Sequence, residues 1–104
     1  MTMFPHARRV IKARARLLYG SLSHLAAQTG VSRSALNFRI GLAEQSPLTH
    51  YWFEFVLCLP EGSLSEELTE ETINRRPSPA DAAYAIAASD AAWKARKLSK
   101  GETE

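Results

Sequence analysis

A chain of 104 residues, 45% apolar and 23% charged, has the size of one domain able to bury roughly 60 to 70% of its unfolded surface around a single core. Its one cysteine, Cys58, excludes an internal disulfide, and no run approaches the length of apolar sequence that a membrane span requires. The net charge of +2 is unevenly placed: residues 1–45 carry seven basic groups against one acidic (+6), and residues 46–104 six basic against ten acidic (−4).

Pro5 to Tyr19 predicts a first helix, with Ala7, Val10, Ile11, Arg14, Leu17 and Leu18 near the 3.6-residue period and Gly20 placed to stop it. Arg8, Arg9, Lys12 and Arg16 lie off that seam, facing either solvent or a phosphate-bearing partner. The start, MTMFPHARRVIKARAR, lacks the apolar centre of a secretion signal. Cys58, among Phe55, Val56, Leu57 and Leu59, reads as a small buried thiol in a reducing cytoplasm.

Leu22 to about Gln28 predicts a second, short helix whose Leu22, Leu25 and Ala26 face inward. Gly30 follows where the chain must turn through positive φ, Val31 fills the corner, and Ser32 is an N-cap for a third helix. On that helix Leu36 and Ile40 form the buried side, while Arg33, Ser34, Asn37 and Phe38 share the other. Ala26 is small enough for the third helix to cross closely over the second.

The run A-x-x-x-G-V-S-x-S-A-L-N-x-x-I over Ala26 to Ile40 resembles the helix-turn-helix of Cro-like phage and plasmid repressors, a likeness covering about 20 of the 104 residues. The resemblance implies a second helix lying in the major groove of double-stranded DNA, with Arg33, Ser34 and Asn37 reading base edges and Phe38 meeting a thymine methyl. Leu22 stands where the family often has a phosphate-holding Gln, leaving that task to the hydroxyls of Ser21 and Ser23. Ser32, Arg39, Arg8, Arg9 and Lys12 complete the expected phosphate contacts. Arg39 departs from the small or apolar residue usual near that point. The resemblance further implies a repressor of the bacterial cytoplasm, associated with nucleoid or plasmid DNA, and a homodimer is expected because one recognition helix reads too few base pairs to select a single site.

Ser46-Pro47 opens a further helix, and Tyr51, Trp52, Phe55, Val56 and Leu59 recur on it before Pro60-Glu61-Gly62. The stripe reads as core. His50, Glu54 and Cys58, spaced i, i+4, i+8, make only a weak zinc signal, and no metal site is expected. Ser63 to Arg76 predicts a short, peripheral helix, broken in places, with Ser63 and Glu66 fitting a capping box. Arg75-Arg76-Pro77-Ser78-Pro79 reads as a stiff connector, after which Ser78 caps a long alanine-rich helix reaching about Lys97.

These elements predict an all-α, compact helical domain of about five to six helices containing a helix-turn-helix. A DNA-binding core is expected over residues 1–76 and a C-terminal helix and tail over 77–104, with Tyr84, Ala87, Ala88, Ala91 and Trp93 as the candidate pairing face. No phosphate-cradling glycine loop, CxxC pair, HExxH or nucleophile elbow is present, so the expectation is a non-enzyme without cofactor, small-molecule ligand or membrane partner. The alternatives are an accessory factor for recombination or partition, and a protein-interaction module with a vestigial motif. The basic groups gathered beside Arg33 and Asn37 favour DNA over the interaction module.

Overall fold

Local backbone rules account for most of the helix ends in the computed structural model, which describes residues 3–66 and 68–94. The first helix, α1 (Ala7–Tyr19), stops at Gly20, whose φ of +98° takes the chain out of helical geometry. Ser21 then caps α2 (Leu22–Thr29), its hydroxyl accepting from the His24 N–H at 3.1 Å. At the far end of α2, Gly30 is left-handed (φ +73°); its N–H donates to Ala27 and that of Val31 to Ala26. Those two bonds form a Schellman turn, with Val31 half-buried against the core. Ser32 caps α3 (Arg33–Gln45) by accepting from Ala35 N–H at 3.0 Å. This helix runs four residues past Gly41, which lies within it.

Gly30→Ala isolates the cost of that turn. A methyl there would meet nothing within 4 Å, so only the left-handed backbone opposes it, and the expected loss is about 1–2 kcal/mol. Gly30→Asn should lose less. Urea unfolding of the two variants checks both; a neutral alanine would show that the turn relaxes.

After a 3-10 turn at Pro47–Thr49, α4 (His50–Val56) is shorter than the aromatic stripe suggests. It ends just before Cys58, which takes φ +54° without being glycine. Glu54, 5% exposed, explains the early stop: its two carboxylate oxygens accept from Gly62 and Leu64 N–H, each at 3.0 Å, folding the following loop back onto the helix. The capping box at Ser63 does not form. Ser63 opens a 3-10 turn instead, and its buried hydroxyl has no hydrogen-bond partner among the described residues. The predicted 63–76 helix reduces to that turn and to α5 (Glu70–Asn74), capped by Thr69.

The capping of α6 (Pro79–Ala87) by Ser78 is as the sequence predicts, but the helix is not a continuous rod. It breaks at Ala88 and resumes over 89–94. At the break the Ser89 hydroxyl donates to Ile86 C=O, and the Ser89 carbonyl accepts from Trp52 Nε1 at 3.1 Å. Residues 95–97, the expected end of that helix, lie outside the described residues.

The described residues contain no strand, and the fold is all-α. One core draws on α1 to α5, with Val10 and Ile11 of α1, Leu25, Leu36, Ile40, Trp52, Phe53, Leu57, Leu64 and Ile73 all buried; Ala85 of α6 is buried as well. The 77–94 part is continuous with this body, since α6 packs on α4 and α2. No helix among the described residues is long and apolar enough to cross a membrane.

Arg14 occupies the buried side of α1 as its spacing requires, at 1% exposure. Its guanidinium donates to the carbonyls of Leu57 and Cys58, just past α4, and of Ile73 and Arg75, at the end of α5. A cation over two helix C-termini satisfies carbonyls that have no partner within their own helices.

Tyr19 closes the same corner, its hydroxyl donating to Val56 C=O at 2.6 Å. Burial pushes this hydroxyl up from 10 to about 12. Because the folded value is the higher one, its contribution to stability is complete below pH 10 and is lost as pH rises from 10 to about 12. Tyr19→Phe should remove that part of the alkaline loss; unfolding curves across this range check it, and unchanged pH dependence would contradict it.

Candidate nucleic-acid interface

The outer face of α3 is set by its buried side. Leu36, Ile40 and Ala43 point into the core, so Arg33, Ser34, Asn37 and Phe38 are all exposed. Phe38, at 69% exposure, is a large apolar ring with little protein around it. Arg33 Nη1 donates to Asn37 Oδ1 at 2.5 Å, one turn along the helix. That bond holds both side chains side by side on the surface.

Beside this face lies a cleft of about 250 Å³ lined by Lys12, Arg16, Ser21, Leu22, Ser23 and Arg33. Three cations from two helices and two hydroxyls at the start of α2 thus converge on one depression. The N-terminal end of α2 adds its own partial positive charge. Arg16 belongs to this group, although its place on the outer side of α1 fits solvent as well as a phosphate. The signal that could have found it is its spacing from Lys12, four residues and one helical turn away.

The remaining candidates are placed differently. Ser32 is engaged as a helix cap, as is Ser21 of the cleft, which also meets His24 Nδ1 at 2.9 Å. Arg8 Nη2 lies 2.8 Å from Glu44 Oε1, a hydrogen bond that holds the guanidinium above its ordinary value. Arg9 reaches Glu70 at 3.5 Å, with both groups open to solvent. Lys12 alone of those three α1 cations lines the cleft.

Arg39 is not among the residues that line the cleft. Its guanidinium carbon lies 3.6 Å from the centroid of the Trp93 ring and 4.6 Å from that of Trp52, and burial lowers its pKa. Trp93 is accordingly half-buried in the chain's own packing, stacked also on Tyr51 at 6.1 Å. Of the other pairing candidates, Ala88 is half-buried while Ala87, Ala91 and Tyr84 are exposed. Tyr84, 67% exposed, meets the edge of Phe55 at 6.0 Å.

The residues with metal-ligating side chains on α4 have other partners. His50 Nε2 lies 2.7 Å from Ala43 C=O, so this nitrogen carries the proton, and Nδ1 is 3.1 Å from Ser65 Oγ. Glu54 holds the loop, and no group of three potential ligands forms among the described residues. What the α3 face and its cleft can do chemically is bind a polyanion: fixed cations for phosphates, and amide, guanidinium and aromatic groups for whatever lies between them. No known protein-family profile matches the chain, and neither does any curated protein or solved structure.

Proposed function

We propose that this chain binds double-stranded DNA sequence-selectively by laying α3 in the major groove, and that it acts as a homodimeric repressor of the Cro-like helix-turn-helix kind. The observation that carries the reading is the juxtaposition of the exposed Arg33, Ser34, Asn37 and Phe38 with the cleft of Lys12, Arg16, Ser21 and Ser23. Base-edge donors and a methyl-seeking ring stand next to a phosphate seat, the division of labour that groove readers use. Arg33, held by Asn37, suits the two acceptors of a guanine edge.

A single helix reads few base pairs, each good contact adding roughly 1–3 kcal/mol of discrimination, too little to select one genomic site. Two copies on a palindrome, with half-sites about 34 Å apart, supply the rest. Tyr84, Ala87 and Ala91, on the outer side of the C-terminal helices, are the face proposed for pairing.

Selection from a pool of randomised duplexes tests this. The expected winner is a palindrome, and Arg33→Ala should lose about 1–3 kcal/mol on it while relaxing one base position per half-site. Enrichment of no sequence at all would overturn the reading.

A further inference from the structure

The connector arginines, Arg75 and Arg76, lie far from the α2–α3 motif in sequence, but the fold brings one of them to the helix that lines the cleft. Arg76 Nη1 donates to Leu17 C=O at 3.4 Å, 59 residues back along the chain. Leu17 directly follows Arg16, and Ser21 comes at the start of α2; both Arg16 and Ser21 line the cleft. The Arg76 guanidinium thus stands at the last turn of α1, where carbonyls lack partners within the helix.

The connector is held there by its backbone. Arg75 C=O accepts from the buried Arg14, and Arg75 N–H donates to Thr72 C=O at 3.4 Å. Arg75 is extended (φ −69°, ψ 131°), and Pro77 restricts Arg76 to similar geometry. Successive side chains leave such a backbone in different directions, so Arg76 turns to α1 while the Arg75 side chain, also exposed, leaves on another side.

Charge favours one end of α1 over the other for a polyanion leaving the cleft. Toward the N-terminal end Arg8 faces Glu44 and Arg9 faces Glu70. Toward the C-terminal end, among the described residues, no carboxylate pairs with Lys12, Arg16 or Arg76. Each strand of duplex DNA carries one phosphate for about every 3.4 Å of axis, so a strand seated at one cation presents its next phosphates to the neighbouring ones.

We propose that the strand held in the cleft by Lys12, Arg16 and Arg33 runs on past the C-terminal end of α1, and that Arg76 holds a further phosphate there. Leu17 C=O engages one of its N–H groups, and the rest of the planar fork is open to phosphate oxygens. The proposal rests on the DNA-binding reading above and adds to it a contact from far outside the α2–α3 motif.

Fluorescence anisotropy of the full chain on a labelled mixed-sequence duplex, over about 50 to 200 mM salt, tests it. Arg76→Gln is expected to weaken binding and to reduce the magnitude of the log–log salt slope by about 0.9, the share of one phosphate. Arg76→Lys should keep the slope, and Arg75→Gln should leave it at the wild-type value. If Arg76 does no more than cap α1, Arg76→Gln binds with the wild-type slope, which would overturn the further contact while DNA binding stands. Equal losses in Arg75→Gln and Arg76→Gln would also overturn it, because bulk charge and not a placed contact would then set the slope. A wild-type chain that binds no duplex would overturn both readings.

Discussion

Arg14→Met is expected to lower the unfolding free energy by about 3–5 kcal/mol, a large share of the roughly 5–15 kcal/mol that holds a domain of this size folded. The side chain is 1% exposed and bridges α1 to the chain after α4 and to the end of α5, through the carbonyls of Leu57, Cys58, Ile73 and Arg75. Methionine would fill much of the volume but donate nothing, leaving several buried acceptors without partners. Arg14→Lys should recover only part of the stability, because a point-like ammonium cannot span carbonyls that a planar fork reaches together. Equilibrium unfolding in urea measures both, and a change under about 1 kcal/mol for Arg14→Met would contradict the assignment of a bridging role.

Trp52→Ala is expected to cost about 3–5 kcal/mol, for a different reason. The indole is 1% exposed and sits edge-on to Phe53 at 5.0 Å and to Trp93 at 5.9 Å. Its Nε1 also holds the Ser89 carbonyl, so truncation both opens a cavity and releases the stretch that packs on Arg39. Trp52→Phe keeps much of the ring packing and removes the hydrogen bond, an expected cost of about 1–2 kcal/mol. Since the chain has two tryptophans, Trp93 alone reports in either variant. A red-shifted emission in Trp52→Ala and a near-native one in Trp52→Phe are expected; an unshifted spectrum in Trp52→Ala would mean that Trp93 is held without its neighbour.

These two side chains also mark how far local sequence rules reach. Gly30, Ala26, Val31 and Ser32 define the α2–α3 turn through rules that act within six residues, so the turn is legible without any tertiary information. The same holds for Ser78 before Pro79, and for Arg14 on the buried stripe of α1. What Arg14 bonds to lies 43 to 61 residues away along the chain, beyond any local pattern. The early end of α4 is likewise a tertiary effect, imposed by Glu54 on a loop whose Gly62 reads in sequence only as a breaker.

The interface divides in the same way. The 3.6-residue period is enough to expose Arg33, Ser34, Asn37 and Phe38, because their direction follows from burying Leu36 and Ile40. Which cations gather beside them depends on how α1 rolls against α3, and this the period does not contain. Arg16 joins the cleft, Arg8 turns to Glu44, and Arg39 is taken by two indoles from distant parts of the chain. A tryptophan at position 93 in an otherwise slim alanine-rich helix is the available hint that this helix is anchored on its own domain.

The central claim, that the α3 face and its cleft meet DNA, is tested most directly by titrating the wild-type chain onto a palindromic duplex recovered by selection and onto an unrelated duplex, each across a salt series. The account predicts tighter binding to the selected duplex and an affinity that falls steeply and log-linearly with salt, as release of phosphate counterions requires. Absence of binding to either duplex at low salt would contradict it.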